Sequence, residues 1–123
     1  MMYEIYDVLK ADPLIQEKVA NRIKFYEYPP INEMNGVYIV IDPLDTPIPS
    51  DYGSNRIIAE EYLYQIEVWS KSSFNTKAVA REIRDVLRSK LGVTQYGSGL
   101  DEFDKDTKIF RDARRYRGKQ YIN

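Results

Sequence analysis

The chain has 123 residues, of which 43% are hydrophobic and 30% are charged, a size and composition typical of one compact domain with a single core. Its formal net charge is -1, whereas proteins that bind nucleic acid mainly through phosphate contacts are usually basic. The sequence contains no cysteine and no histidine, which excludes disulfides, thiolate zinc sites and the usual serine and cysteine protease triads.

The N-terminal stretch MMYEIYDVLKADP predicts a helix that stops or restarts at Pro13. Asp12 and Pro13 then suit the N-cap and the first position of a second short helix. No basic region is followed by an apolar run, and no apolar stretch approaches the ~20 residues that cross a bilayer. We therefore expect the protein to be cytoplasmic when it is made.

Three strands are predicted next. RIKFYEYP alternates apolar and polar residues and ends at Pro29-Pro30, whereas GVYIVIDP (Gly36–Pro43) is a continuous apolar run typical of a central strand buried on both faces. The segment 42–55 is rich in proline, aspartate, serine and glycine and is predicted to be a long flexible loop. RIIAEEYLYQIEVWSKS follows as a long strand.

The stretch FNTKAVAREIRDVLRSKLG predicts the longest helix, with Asn75 as its N-cap and Gly92 as its left-handed C-cap. VTQYGSGLDEFD and TKIFRDARRYRGKQYI then read as two strands joined by a turn at Asp104-Lys105-Asp106. This order predicts one α+β domain spanning residues 1–123. Its sheet is mostly antiparallel with four to five strands, and the N-terminal helix and the long helix pack on one face.

No motif for a catalytic site, a metal or a cofactor is evident, so we expect a protein that is not an enzyme and uses no cofactor. DEFDKD lacks the spacing of a calcium loop, and YGSGLD lacks that of a phosphate loop. A carboxylate-dependent enzyme using Asp42, Glu67 and Lys71 is a further possibility, although any small sheet with 19 acidic residues offers such a set.

The basic stretch near the C-terminus is the most distinctive feature of the chain. Residues 111–119 hold four arginines and a lysine, whereas residues 101–106 hold four acidic residues and one lysine. In a strand, Arg111, Arg115 and Arg117 would share one face, and Arg114 and Tyr116 the other. The arginines are thus divided between two faces instead of forming the single stripe that follows a phosphate backbone.

Three interpretations of this stretch stay open. The acidic and basic strands could pair with each other in a terminal hairpin, the basic residues could contact nucleic acid, or the stretch could form a subunit interface, where arginine and tyrosine are enriched. Trp69 suits a core or an interface equally. The candidate interface residues are Trp69, Asp101, Glu102, Asp104, Arg111, Arg114, Arg115, Tyr116 and Arg117.

The order of these features also carries a family resemblance. YQIEVWSKS, then the capped helix NTKAVAREIRDVLRSKLG and a closing hairpin ending in FRDARRYRG, resembles the small tail-completion or tail-terminator proteins of long-tailed phages and prophages of Gram-positive bacteria. The resemblance is best over Glu60 to Gly118, and its most specific parts are EVWSKS and RRYRG. The loop 42–55 has no counterpart in this pattern.

The resemblance implies an α+β subunit that forms a ring, commonly a hexamer, at the head-proximal end of the tail tube. Such a ring ends tube growth and joins the tail-tube protein to a head connector protein, with DNA only as passing cargo. It implies residence in the host cytoplasm during assembly and then in the virion tail. We further expect the segment 42–55 and the C-terminal residues to become ordered on assembly, and the free protein to be monomeric.

Overall fold

The computed structural model describes residues 1–53 and 56–121. Within these ranges the chain forms three α-helices, a short 3-10 turn at Ile31–Glu33, and seven strands in one mixed sheet. The helices are α1 (Met2–Ala11), α2 (Pro13–Val19) and α3 (Ser73–Leu91). The strands are β1 (Ile23–Phe25), β2 (Tyr38–Pro43), β3 (Ile48–Gly53), β4 (Arg56–Ser70), β5 (Thr94–Gln95), β6 (Leu100–Asp104) and β7 (Ile109–Tyr121).

This architecture confirms the predicted single α+β domain with a mostly antiparallel sheet. None of the helices in the described ranges is long and apolar enough to cross a membrane. The sheet has more strands than the four to five predicted, because short strands pair at both ends of the two long ones.

The helix boundaries follow from local capping. Asp12 caps α2 as predicted, since its Oδ2 accepts a hydrogen bond from the backbone N–H of Ile15 at 3.1 Å. The prediction of Asn75 as the N-cap of α3 is wrong. Ser72 caps this helix, and its Oγ accepts from the backbone N–H of Asn75 at 3.1 Å. Gly92 ends α3 in the left-handed conformation, with φ of 66°, as predicted.

The sheet is built around the antiparallel pair β4 and β7, which are in register from Ala59 opposite Tyr121 to Ser70 opposite Phe110. On the other edge of β4, its second half pairs with β2, which has β1 as a parallel neighbour. The predicted strand RIKFYEYP ends early, at Phe25. Tyr26 adopts a positive φ of 65°, which turns the chain out of the sheet.

The prediction of a long loop over residues 42–55 is wrong for most of its length. β2 continues to Pro43, and β3 pairs antiparallel with the first half of β4. Proline has no backbone N–H to donate to a neighbouring strand. It is therefore tolerated in an edge strand such as β3, which has a partner on only one side, and Pro49 is compatible with this strand. Residues 54 and 55 lie outside the described ranges.

The predicted strand at VTQYGSGLDEFD is divided into β5 and β6, which pair with successive parts of β7. Gly97 has a positive φ of 72° between them. The backbone at Gly99 comes so close to β7 that a Cβ there would lie 2.2 Å from the carbonyl oxygen of Ala113. The glycines therefore permit the break between the two strands.

The three helices cover one face of the sheet, called here the helix face, and the main core lies between these two layers. The predicted stripe of α3 is part of it, since Val79, Ile83 and Leu87 are almost fully buried. The opposite face, called here the open face, carries no helix among the described residues. It has a smaller apolar cluster of Met34, Tyr38, Ile109 and Trp69.

Candidate functional site

The candidate interface residues divide between the two faces of the sheet as the alternation in β7 predicts. Arg111 lies opposite Trp69, and Arg115 opposite Gln65, on the open face. Tyr116 lies opposite Tyr64, a member of the main core, on the helix face. The predicted faces of β7 are thus confirmed, and the basic stretch supplies two separate surfaces.

A buried carboxylate organises the open face. Glu67 is 1% exposed, and its oxygens accept three side-chain hydrogen bonds. Arg111 Nε–H donates to Oε1 at 2.5 Å, Trp69 Nε1–H donates to Oε1 at 3.0 Å, and Gln65 Nε2–H donates to Oε2 at 2.9 Å. Every one of these donors comes from β4 or from its neighbour β7, so strand pairing brings the group together.

The ionisation of this group follows from its hydrogen bonds. Burial favours the neutral form of Glu67, but the three hydrogen bonds to the carboxylate outweigh it and hold its pKa below the usual value. The pKa of Arg111 is raised, chiefly by its hydrogen bond to Glu67. Both groups are therefore charged at neutral pH, and Glu67 is a satisfied structural anion.

Aromatic contacts extend this cluster to the surface. The Arg111 guanidinium lies 5.7 Å from the centroid of the Trp69 ring, and the ring of Tyr28 lies 5.3 Å from that of Trp69. Arg111 Nη1–H also donates to Glu102 Oε1 at 3.4 Å across the β6–β7 pair. Trp69 and Arg111 therefore belong mainly to the internal packing of the open face.

A second charged cluster lies on the helix face. Asp112 is 3% exposed, and Arg114 donates to both of its carboxylate oxygens, from Nε at 2.9 Å and from Nη2 at 3.2 Å. Lys77 of α3 lies 3.7 Å from Asp112 and also forms an ion pair with Asp101. Asp101 and Asp112 are opposite each other in register, so Lys77 stabilises two neighbouring acidic groups.

Tyr116, one of the candidate interface residues, lies inside the subunit. Its side chain is 1% exposed and belongs to the main core between the helices and the sheet. Burial raises its pKa to about 12. Asp104 has a local role, since its Oδ1 accepts a hydrogen bond from the backbone N–H of Asp106 at 2.9 Å and its carbonyl accepts from Lys108. The predicted turn after Asp104 is confirmed.

Arg115 and Arg117 are the two candidate arginines that stay exposed on the open face. Within the described ranges neither forms an ion pair, and the residues opposite them on β4, Gln65 and Leu63, carry no charge. The Arg117 guanidinium lies 4.1 Å from the centroid of the Tyr96 ring. These residues form a surface patch that a partner can reach.

The hypothesis of a charge-paired hairpin is only partly correct. Glu102 and Arg111 are paired across β6 and β7, whereas Arg114 binds Asp112 of its own strand and Lys119 Nζ binds Asp51 Oδ2 of β3 at 2.9 Å. Sequence reasoning missed Glu67, Lys77 and Asp51 as partners. The one available signal was the position of Glu67 among apolar residues of a long strand, where a carboxylate needs a cation.

No group of three acidic side chains that could hold a metal ion occurs in the parts of the chain that the structure describes. Asp42 lies opposite Gln65 in register, and both oxygens of Glu67 are occupied by hydrogen bonds. In the hypothetical catalytic set of Asp42, Glu67 and Lys71, the carboxylate of Glu67 therefore has a structural role.

No protein-family model matches the chain, and no curated protein matches its sequence. Among solved structures, the chain is similar to a chain of a native gene transfer agent virion particle, with a TM-score of 0.70 and 15% sequence identity. The similarity covers 96% of this chain and 92% of that chain. At this identity it shows that the two chains share a fold over nearly their whole lengths.

Proposed function

We propose that this chain is a structural subunit of a phage-like particle, which ends the tail tube and joins the tail to the head as a ring. The observation that carries the proposal is the similarity in fold to a chain of a gene transfer agent virion, which extends over nearly the whole of both chains. The resemblance of EVWSKS and RRYRG to tail-terminator proteins supports the same role.

The surface of the domain is compatible with such a ring. A head-to-tail ring needs two different, complementary patches on each subunit. Arg115 and Arg117 supply one exposed patch on the open face, and no described carboxylate pairs with them. Arg111 and Arg114 are held by Glu67 and Asp112, so they shape the subunit instead of contacting a partner.

The proposed partners are further copies of the chain in a ring, commonly a hexamer in the family that the sequence resembles, together with the tail-tube protein and the head connector protein. DNA would pass through the ring without binding, which the formal net charge of -1 favours over a basic lumen. The subunit would assemble in the host cytoplasm and remain in the virion tail.

The structure weighs against the alternative of a nucleic-acid-associated protein. Within the basic stretch that this alternative would use, Arg114 and Lys119 are paired with carboxylates and Tyr116 is buried. A phosphate-binding protein should bind DNA at low salt and lose affinity steeply as salt rises. Measurable, salt-dependent DNA binding that disappears in the Arg115→Ala/Arg117→Ala variant would favour this alternative.

Electron microscopy of particles made without this protein tests the proposal directly. We expect tails of abnormal length, or tails and heads that stay separate, and recovery when the protein is supplied. Normal tails joined to heads in the absence of the protein would contradict the proposal. A variant such as Lys105→Ala, at an exposed turn position, should restore joining as well as the wild type does.

A further inference from the structure

An apolar groove crosses the helical layer between α1, the start of α2 and the second half of α3. Its volume is about 490 Å³, and its apolar walls include Val8, Pro13 and Val86. It lies on the outer side of the helices, whereas the Arg115 and Arg117 patch lies on the open face of the sheet. The groove and the patch are therefore on opposite sides of the two-layer domain.

The rim of the groove is acidic. Asp7 and Asp12 line it, and Lys90 supplies one positive charge. Glu82, one helical turn before Val86, has its carboxyl within hydrogen-bonding reach of Asp12, and this contact raises the pKa of Glu82. Asp7, Asp12 and Glu82 form no ion pair within residues 1–53 and 56–121, so the like charges at this rim are not neutralised in the subunit.

The patch on the open face has the complementary chemistry. Arg117 packs against Tyr96, which is 46% exposed, and Arg115 lies two residues before it on the same face of β7. An arginine lying on an aromatic ring presents an apolar surface together with a positive charge. This combination suits an apolar groove with an acidic rim, and arginine and tyrosine are common at the centres of subunit contacts.

We propose that the groove between α1, α2 and α3 of one copy receives Arg115, Arg117 and Tyr96 of a second copy. Because the two surfaces lie on opposite sides of the domain and differ from each other, the contact is head-to-tail, which is the kind that generates a ring when the rotation closes. This inference rests on the proposed function as a ring subunit, and it names the surfaces that subunits use.

Charge reversal provides the first test. Arg115→Glu/Arg117→Glu and Asp7→Arg/Glu82→Arg should each raise the concentration needed for half-maximal assembly by roughly ten-fold or more, because like charges then face each other. The variant that combines all four substitutions should recover most of the wild-type assembly. Lys71→Glu/Lys105→Glu makes the same change in net charge as Arg115→Glu/Arg117→Glu, at exposed positions away from both surfaces, and should assemble normally. Assembly is measured by analytical ultracentrifugation, and circular dichroism checks that each variant is folded.

Cysteine cross-linking provides the second test, since the chain has no cysteine of its own. Glu82→Cys and Arg117→Cys are made in separate chains and mixed under mild oxidation. The mixture should form a disulfide-linked dimer, and each variant alone should give at least several-fold less of it. Within one chain these positions lie on opposite sides of the domain, too far apart for the ~4–7 Å separation of Cα atoms in a disulfide.

The outcomes separate this inference from the proposed function. Two results would overturn the proposed contact without contradicting a ring: both charge-reversal variants assemble as well as the wild type, or the mixed cysteine variants cross-link no more than each variant alone. A wild type that does not assemble over the whole concentration range, together with cysteine variants that do not cross-link when mixed, would overturn the contact. Particles that join normally without the protein would overturn the function as well.

Discussion

The Nε atom of Arg111 lies 2.5 Å from Oε1 of Glu67, a carboxylate that is almost completely removed from solvent. The two residues are 44 positions apart in sequence and meet because β4 and β7 are neighbours. This pair holds together the centre of the open face, and its properties can be measured.

Removing one member of this pair should destabilise the fold strongly. We expect Arg111→Ala to lower the free energy of unfolding by about 2–3 kcal/mol, because it leaves Glu67 charged, buried and without its cation. Since Arg111 is partly exposed, this loss of stability is at or below the lower end of the roughly 3–5 kcal/mol that follows removal of one partner of a fully buried pair. Urea denaturation measures it, and Arg115→Ala, at the exposed position four residues later on the same face, should cost less than about 0.5 kcal/mol. Equal losses in the two variants would contradict the role given to Glu67.

The acid stability of the protein should depend on the same carboxylate. The pKa of Glu67 is lower in the folded chain than the value of about 4.3 expected in the unfolded chain. Ionised Glu67 therefore stabilises the fold above about pH 4.3, and this contribution is lost as the pH falls through the lower folded-state pKa. We expect Glu67→Gln to be less stable than the wild type at pH 7, with the difference shrinking below about pH 4 in denaturation curves recorded at several pH values. A difference that does not change with pH would count against this assignment.

Glu82 should show the opposite dependence. Its pKa is raised, first by the hydrogen bond to Asp12, then by burial and by the negative charges of Asp12 and Asp85. The protonated form thus stabilises the fold at low pH, and this stabilisation is lost as the pH rises through the raised folded-state pKa. We expect Glu82→Gln to be more stable than the wild type at pH 7, by less than about 1 kcal/mol because the group is partly exposed. The gain should decrease towards pH 4, and a variant that is less stable at pH 7 would refute it.

The cap of α3 gives a prediction with a matched control three residues away. Ser72→Ala removes the hydrogen bond from the backbone N–H of Asn75 to the serine hydroxyl and should cost about 1 kcal/mol. Asn75→Ala should cost much less, because Asn75 already lies inside the helix. Thermal unfolding of the two variants measures the loss of stability at each position. A larger loss of stability in Asn75→Ala than in Ser72→Ala would contradict the assignment of Ser72 as the N-cap.

The two glycines between β5 and β6 should differ in their tolerance of alanine. A Cβ at Gly99 would collide with the carbonyl oxygen of Ala113, so we expect Gly99→Ala to destabilise the fold by about 1–3 kcal/mol and to disturb the β6–β7 pairing. At Gly97 nothing lies within 4 Å of the added Cβ, and the positive φ alone should cost about 1 kcal/mol. Chemical denaturation compares the two variants, and a Gly99→Ala protein as stable as the wild type would contradict the close approach.

Much of the fold is readable in the sequence because it depends on neighbours along the chain. The two-residue alternation of β7 predicts which arginines share a face, and Asp12, Pro13 and Gly92 mark helix boundaries through local backbone chemistry. The limits of such reading appear at β3. Pro49 within it and Pro47 just before it are typical of a loop, and only the pairing with β4 makes the segment a strand.

At the candidate site too, some properties can be predicted from the sequence and others depend on the tertiary structure. From composition and alternation alone, the chain is a single α+β domain with no histidine, no cysteine and a basic closing strand whose charges lie on two faces. Contacts between segments far apart in sequence decide which side chains of this strand can reach a partner molecule. The pairing of β4 with β7 brings Glu67 to Arg111, and the helical layer buries Tyr116. The physical reason is that periodicity is a property of the local backbone, whereas the partner of a side chain depends on which strands and helices, far apart in sequence, pack side by side.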